Sequence, residues 1–530
     1  MLRTAIAVSG LLLSTHLSAA TFTVTRLDDP PPNGCLANDC SLREAVIAAN
    51  ATAAADIVQL GNGTHELTRV CVPDTQFCQD IDVTQPLTIR GNGSSLTEII
   101  SSIPLNASPL TTDRGHARVI EASSTLSLQN LRLRRGYSVS SNTYGGLGGC
   151  LLISQTTSTL SNVVITDCGV LGGASSLSGG GAAISGGSSV WTAVTVSNSR
   201  AYQGGGVSVQ GTLSGSNVVI TGNRASTGGG VGMRAGAVMA LGGGSRISTN
   251  TAEYAGGVYS AFATELRGER DSLLKIDHNL SESSCGGVTL FDVAPFGMTQ
   301  NMLLRYLSLD SNVAKTHGGG ICTHSAGSLP SGIVSILDSE IVNNSAGRDG
   351  GGIMITHTQA QQRTTIERVS LSRNIANRGA AVHASNGTLT MTNVSSHDND
   401  STTGAIHVLA GSAELTHVSS LDDNLSIDAG GTLRLRASVM SSNCAGNVQD
   451  GGFNFVRSGS AGCPGTPASS GALALAYDSY GGPYRIVGIT SSTSPLREVV
   501  PPVLGATDAR GWLRQNLHDV GAHEFDGVSP

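Results

Sequence analysis

Aromatic residues make up only 4% of this 530-residue chain and charged residues only 13%, against about a quarter charged in ordinary soluble domains. With so few large anchors, a conventional compact core is hard to fill. Lysine is nearly missing: Lys275 and Lys315 are the only two. No basic stripe with interleaved aromatics runs along the chain, and the net charge is −7, so a nucleic-acid partner is disfavoured. Beyond the N-terminus there is no run of about 20 apolar residues, which leaves no candidate transmembrane helix. The glycines have no three-residue period, which excludes collagen. An apolar content of 39% argues against simple disorder. There is no EF-hand loop, no His-Glu-x-x-His, no phosphate-cradling loop and no Gly-His-Gly with neighbouring paired aspartates.

What is abundant is glycine, at 69 residues, with Val, Ile, Leu and Ala spread thinly among Ser, Thr and Asn. That mixture suits many short strands closed by tight turns. Residues 1–20 read as a secretory signal: Arg3, an apolar stretch from Ala5 to Leu13, and Ser18-Ala19-Ala20 before Thr21. Ten cysteines fit an oxidising compartment. Cys35/Cys40, Cys71/Cys78 and Cys444/Cys463 are close enough in sequence to be local bridges. The pairing of Cys150, Cys168, Cys285 and Cys322 stays open, with buried thiols as the alternative. The expected address is therefore secreted: extracellular, cell-surface or periplasmic.

The main signal is an internal repeat. Asn198-Ser-Arg-Ala-Tyr-Gln-Gly-Gly-Gly-Val207 recurs from Asn223, Asn250, Asn279, Asn312 and Asn344, with decayed copies from Asn374, Asn399 and Asn424, at spacings of 25 to 33 residues. Each unit has an alternating stretch before its asparagine, as in Asn217-Val-Val-Ile-Thr-Gly-Asn223. A second short strand follows the glycines, as in Gly352-Ile-Met-Ile355. Period-two alternation puts Val, Ile and Leu on one face. One unit cannot bury that face alone, but a stack of units makes a continuous interior. The expected fold is an all-β, right-handed, single-stranded parallel β-helix. Its corner glycines permit positive φ and close approach, and its asparagines lie one over another in a ladder. Leucine-rich horseshoe spacing is absent, and a propeller blade would need about 40 residues.

A solenoid must cover its ends. Ser41-x-x-Glu44 is a capping box, and Leu42, Ala45, Val46 and Ala49 fall on one face of a short helix placed to cover the first coil. With Cys35 and Cys40-Ser-Leu-Arg-Glu-Ala, the stretch from Thr21 to Asn50 resembles the CSLREA domain of secreted bacterial β-helix proteins. The repeats over roughly 145–430 resemble those of polymorphic outer-membrane proteins and, more broadly, the pectate-lyase-like superfamily. Asp508-Ala-Arg-Gly511 with Asp519-Val-Gly-Ala-His-Glu524 is similar to the closing motif of the choice-of-anchor Q domain. These resemblances imply a fold and an exported address and assign no reaction. The terminal β-barrel of polymorphic outer-membrane proteins finds no counterpart in the turn-rich C-terminal stretch. The expected organisation is a signal at 1–20, an N-terminal cap at 21–60, a parallel β-helix at 61–440 and a C-terminal cap at 441–530.

Two outer clusters are candidates for function. The corner before each glycine run offers Glu282, Lys315, His317, Arg348, Asp349 and Arg378, where an acidic sugar chain would find Lys315, Arg348 and Arg378 for its carboxylates. A solvated row of mutually tolerant charges accounts for the same residues and is the plainer reading. His383 and His407 occupy matching positions on adjacent coils, about 4.8 Å apart at Cα. Without an evident third ligand they read as a stacked surface pair, not a metal site. Asp28-Asp29, Asp422-Asp423 and His397-Asp-Asn-Asp400 fall in turns or loops. The favoured function is a non-catalytic exported β-helix for adhesion or surface interaction, with glycans or surface proteins as partners. The alternative is a polysaccharide lyase or glycoside hydrolase on an acidic polysaccharide, with calcium as its cofactor. No catalytic residue and no metal ligand is assigned.

Overall fold

The computed structural model describes residues 18–70, 79–103, 116–139, 146–171, 178–261, 264–292, 300–325 and 332–529. It is a right-handed parallel β-helix: successive coils stack three long parallel ladders into one 36-stranded sheet, with a 9-stranded ribbon of very short strands at one corner. The first ladder follows the glycine runs. It stacks Val231–Met233, Val258–Ser260, Val288–Asp292, Ile321–Ser325, Ile353–Thr356, Val382–Ser385 and the start of Ile406–Thr416. Its register sets Ile321 on Ile353, Ile353 on Val382 and Val382 on Ile406. The second ladder places Leu304 on Ile336, and Ile336 on Ile366. The third stacks Ile220, Ile247, Ile276, Leu309, Ile341 and Leu371. All of these side chains point inward and belong to one continuous buried cluster, because each coil covers the apolar face that its neighbour cannot cover alone.

The asparagine ladder forms at the corner after the third ladder. Asn223, Asn250, Asn279, Asn312, Asn344, Asn374 and Asn399 are buried. Each donates its backbone N–H and its Nδ2 to Oδ1 of the next, as Asn312 does to Asn344 at 3.0 and 2.9 Å. Nδ2 also donates to a strand carbonyl of the preceding coil, Ile276 in the case of Asn312, at 2.8 Å. At both ends the ladder residue sits one position away from the expected asparagine. Ser199 N–H, not Asn198, donates to Asn223, while Asn198 turns the chain at φ 52°. At the other end Asp423, not the exposed Asn424, accepts from Asn399 N–H and Nδ2, both at 2.7 Å. A carboxylate has two acceptor oxygens and no donor, so it closes a chain of amides that all donate in one direction.

The N-terminal helix Leu42–Asn50 carries the capping box: Ser41 N–H donates to Glu44 at 2.8 Å and Ser41 Oγ accepts from Glu44 N–H. Its buried face includes Leu42, Ala45, Val46 and Ala49, which join the solenoid core. Arg43 is also buried. It forms a two-point ion pair with Asp29 at 2.8 and 3.0 Å and donates to the Gln79 and Asp80 carbonyls. Asp29 thus anchors the capping helix, while Asp28 pairs with Arg26.

Parallel pairing continues past residue 440, through Phe455–Arg457 to Thr466–Ala468. From Ser469 the chain makes a short helix, Ser470–Leu473. It then forms an antiparallel pair, Leu475–Asp478 with Ile486–Ile489, and lies back along the outside of the third ladder. Val487 N–H donates to Ser395 Oγ at 2.6 Å, and Ala522 N–H to Ser419 Oγ at 2.9 Å. The closing motif is the buried knot that holds this segment. Asp508 accepts from Arg510 N–H and Nε, and from the N–H of Trp512 and Glu524. Arg514 bonds Glu524 at 3.0 Å and reaches Asn393 on the solenoid at 2.9 Å.

Disulfides join Cys35–Cys40 and Cys444–Cys463 as expected. The four unassigned cysteines pair as Cys150–Cys168 and Cys285–Cys322. Cys71 and Cys78, and residues 1–17 of the signal reading, lie outside the described residues. Among the described residues, no helix is long and apolar enough to cross a membrane.

Candidate functional site

The glycine runs have a stricter role than turning the chain. Each run passes directly over the outward-pointing row of the first ladder, which holds Cys322, Met354, His383 and His407. A Cβ on Gly379, where φ is +58°, would lie 2.7 Å from the His383 Cα, and one on Gly318 would strike the Cys322 Sγ. Only glycine allows the corner to close that tightly. The outward row is also buried. His383 and His407 are 1% and 2% exposed, so the expected surface pair is an interior pair instead.

This closure merges the two clusters that sequence spacing kept apart. His317, Asp349 and Arg378 stack in register through single parallel bridges. Asp349 is buried; Arg378 grips both its oxygens at 2.6 and 2.9 Å, and His317 Nδ1 lies 3.0 Å from Oδ2. Burial pushes the Asp349 pKa up, but the Arg378 hydrogen bonds and the surrounding positive field hold it below the ordinary carboxylate range. Beneath it, His383 and His407 share a hydrogen bond between their Nδ1 atoms at 3.0 Å, so one ring donates and the other accepts. Burial, only partly opposed by Asp349, brings His383 down to about 4. Asp428 lies 3.3 Å from His407 Nε2, a partner that no repeat spacing pointed to.

The other row residues lie elsewhere. Lys315 turns away and pairs with Glu282. Arg348 is exposed on the same corner, its backbone N–H donating to the Thr316 carbonyl. Among the described residues, the one group of three metal-capable side chains is Cys285, Cys322 and His324, and its two thiols are consumed by the disulfide.

Next to this corner lies a pocket of about 350 Å³ walled by Tyr254, Tyr259, Phe291, His324, Thr289 and the Cys285–Cys322 bridge. Tyr259 and Phe291 sit on adjacent coils with ring centroids 6.1 Å apart. The two features touch: Cys322 Sγ lies 3.5 Å from the His317 carbonyl, and His324 Nε2 lies 3.4 Å from Cys285 Sγ. The pocket escaped sequence reading because Tyr254 lies in the corner ribbon while Tyr259 and Phe291 take different positions in the first-ladder strands of adjacent coils. Their convergence depends on the register between coils. The available signal was that these are three of only a handful of aromatics in the chain.

The class of protein defined here is a right-handed parallel β-helix with its C-terminal segment folded back along one side. No family model matches the chain, and no curated protein matches it. Among solved structures it is similar to the catalytic unit of a thermostable GH87 alpha-1,3-glucanase from Streptomyces thermodiastaticus, at 14% identity and a TM-score of 0.45, over 85% of this chain and 70% of that one. It is similar to the mannuronan C-5 epimerase AlgE6 A-module of Azotobacter vinelandii at 12% identity and a TM-score of 0.29, over 84% of this chain and 100% of that one. For pectate lyase Pel9A the values are 12% and 0.23, over 96% of this chain and 97% of that one. With TM-scores below 0.5, these likenesses assign no role to this chain.

Proposed function

We propose that the chain is an exported, non-catalytic β-helix that binds an acidic glycan along the face formed by the first ladder and its corners. The observation that carries this reading is the contact between an aromatic pocket and a cationic corner. Sugar rings present apolar faces that pack on Tyr259 and Phe291, while Arg348 and the outer edge of Arg378 stand where a carboxylate further along the chain would lie. The four disulfides among the described residues fit an oxidising, extracytoplasmic setting. The lyase or hydrolase alternative draws no support from this face. Its central carboxylate, Asp349, is ionised and engaged at both oxygens, which leaves it neither a proton to give nor a free lone pair aimed outward.

The test is binding of uronate and neutral oligosaccharides to the chain lacking residues 1–20. Uronate oligomers are expected to bind, with Tyr259→Ala and Arg348→Ala each weakening them about tenfold. Undiminished binding by both variants relative to the unmutated chain, or release of unsaturated or reducing sugars, would overturn the proposal.

A further inference from the structure

On a different side of the solenoid, the folded-back C-terminal segment and the third ladder enclose a cleft of about 890 Å³, within the size range of small-ligand sites. Its floor is the outward row of the third ladder, where Lys275, Ser308 and Glu340 stack in register on successive coils. Arg270, Asp271 and Ser272 form one wall; Gly481, Gly482, Pro483 and Trp512 form the other. A smaller cavity of about 330 Å³, lined by Arg373, Tyr477 and Arg485, shares Glu340, Gly482 and Pro483 with it. The space therefore continues past Glu340 along the solenoid axis.

We infer that this cleft is a second binding site, for an uncharged saccharide chain, with Glu340 hydrogen-bonding its hydroxyls and Trp512 supplying an apolar wall. Trp512 is already fixed in place. The Arg510 guanidinium lies 3.9 Å from its ring centroid, Arg510 is itself bonded to Asp508, and Gly481 lies so close that an added Cβ would sit 3.1 Å from the indole. A wall that is rigid before binding loses little freedom on binding. Glu340 is half-buried; Ser308 Oγ donates to its Oε1, while Oε2 has no protein partner among the described residues. Burial, and secondarily the charge of Asp310, raise its pKa, with Lys275 and Arg485 acting in the opposite sense. The open Oε2 accepts from sugar hydroxyls, and below the raised pKa the carboxyl can also donate to them. At the Trp512 end, Arg270 beside Asp271 and Lys275 near Asp310 leave the walls close to charge balance, which selects an uncharged chain there, while Arg373 and Arg485 line the space only past Glu340. The extension past Glu340 favours several linked sugars over one.

The experiment is calorimetric titration of the chain lacking residues 1–20 with neutral and uronate oligosaccharides across pH. Neutral oligomers are expected to bind, about tenfold more weakly to Trp512→Ala and Glu340→Ala and within threefold of normal to Glu340→Gln. Binding should weaken as pH rises through the raised Glu340 pKa, because the carboxylate can no longer donate, and Glu340→Gln should flatten that profile. Asn424→Ala, exposed and outside both sites, should leave neutral binding unchanged. Preference for uronates that persists in Arg348→Ala, where the corner is weakened, absence of neutral binding, or full binding by Glu340→Ala (whose fold is checked by circular dichroism) would overturn the inference.

Discussion

The repeating corner and the fold-back cleft are both polar, both built on outward rows of the same solenoid, and opposite in how that polarity is satisfied. At the corner, groups are answered from within: each asparagine is bonded to the next coil, Asp349 to Arg378, His383 to His407. In the cleft, Glu340 has one protein hydrogen bond and an open oxygen, and Lys275 and Asp271 are exposed. A repeat places like residues on like residues, and a stack of like residues settles into ladders that serve the fold. Polar groups available to an outside molecule arise where the repeat is broken by chain arriving from elsewhere, as at the C-terminal segment.

Five substitutions would sharpen or break this contrast. Asn312→Ala removes four hydrogen bonds inside the solenoid and strands the Asn279 amide groups and the Ile276 carbonyl. A loss of about 3 kcal/mol is expected in urea unfolding, against less than about 0.5 kcal/mol for the exposed Asn424→Ala. If the two cost the same, the ladder contributes nothing. The corner should also be acid-sensitive. His383 titrates near 4 in the folded chain and near 6.5 when unfolded, so between those values the unfolded chain binds more protons. Stability is full above pH 6.5 and falls as the pH drops toward 4, by at most about 3 kcal/mol from this residue. A His383→Gln variant should show a shallower decline in melting temperature over that window. Arg378→Ala leaves the buried Asp349 with His317 as its remaining partner, at a cost of about 2 kcal/mol, reduced because Arg378 itself is partly exposed. Glu340→Gln, by contrast, should shift the melting temperature by no more than about 1 °C, since the cleft is not what holds the coils together. A large loss there would mean that cleft and corner do the same job.

Much of the fold was legible before any coordinates. The Asn…Gly-Gly-Gly-Val/Ile unit, seen many times in order, fixes both coil length and inward face, and Ser41-x-x-Glu44 marks the capping helix. The ladder ends were misread by one residue, since Asn198 and Asn424 fit the consensus while Ser199 and Asp423 occupy the position. A consensus reports residue type, and register is decided by which side chain meets the amide one coil away. Of the corner residues, His317, Asp349 and Arg378 do come together, and Lys315 does not join them, pairing with Glu282 instead. The burial of His383 and His407 was hidden because alternation distinguishes inward from outward only, and the outward row here is roofed by glycine backbone.

By itself the sequence determined the stack: short apolar alternation repeated at coil length has no other way to hide its faces, so periodicity and burial leave one architecture. Only the tertiary structure decided what lies against what across coils and across distant segments. The merging of two charged clusters into one corner, the meeting of three scattered aromatics, and the cleft between residues 270–340 and 481–512 all depend on distances between parts of the chain that no local pattern encodes.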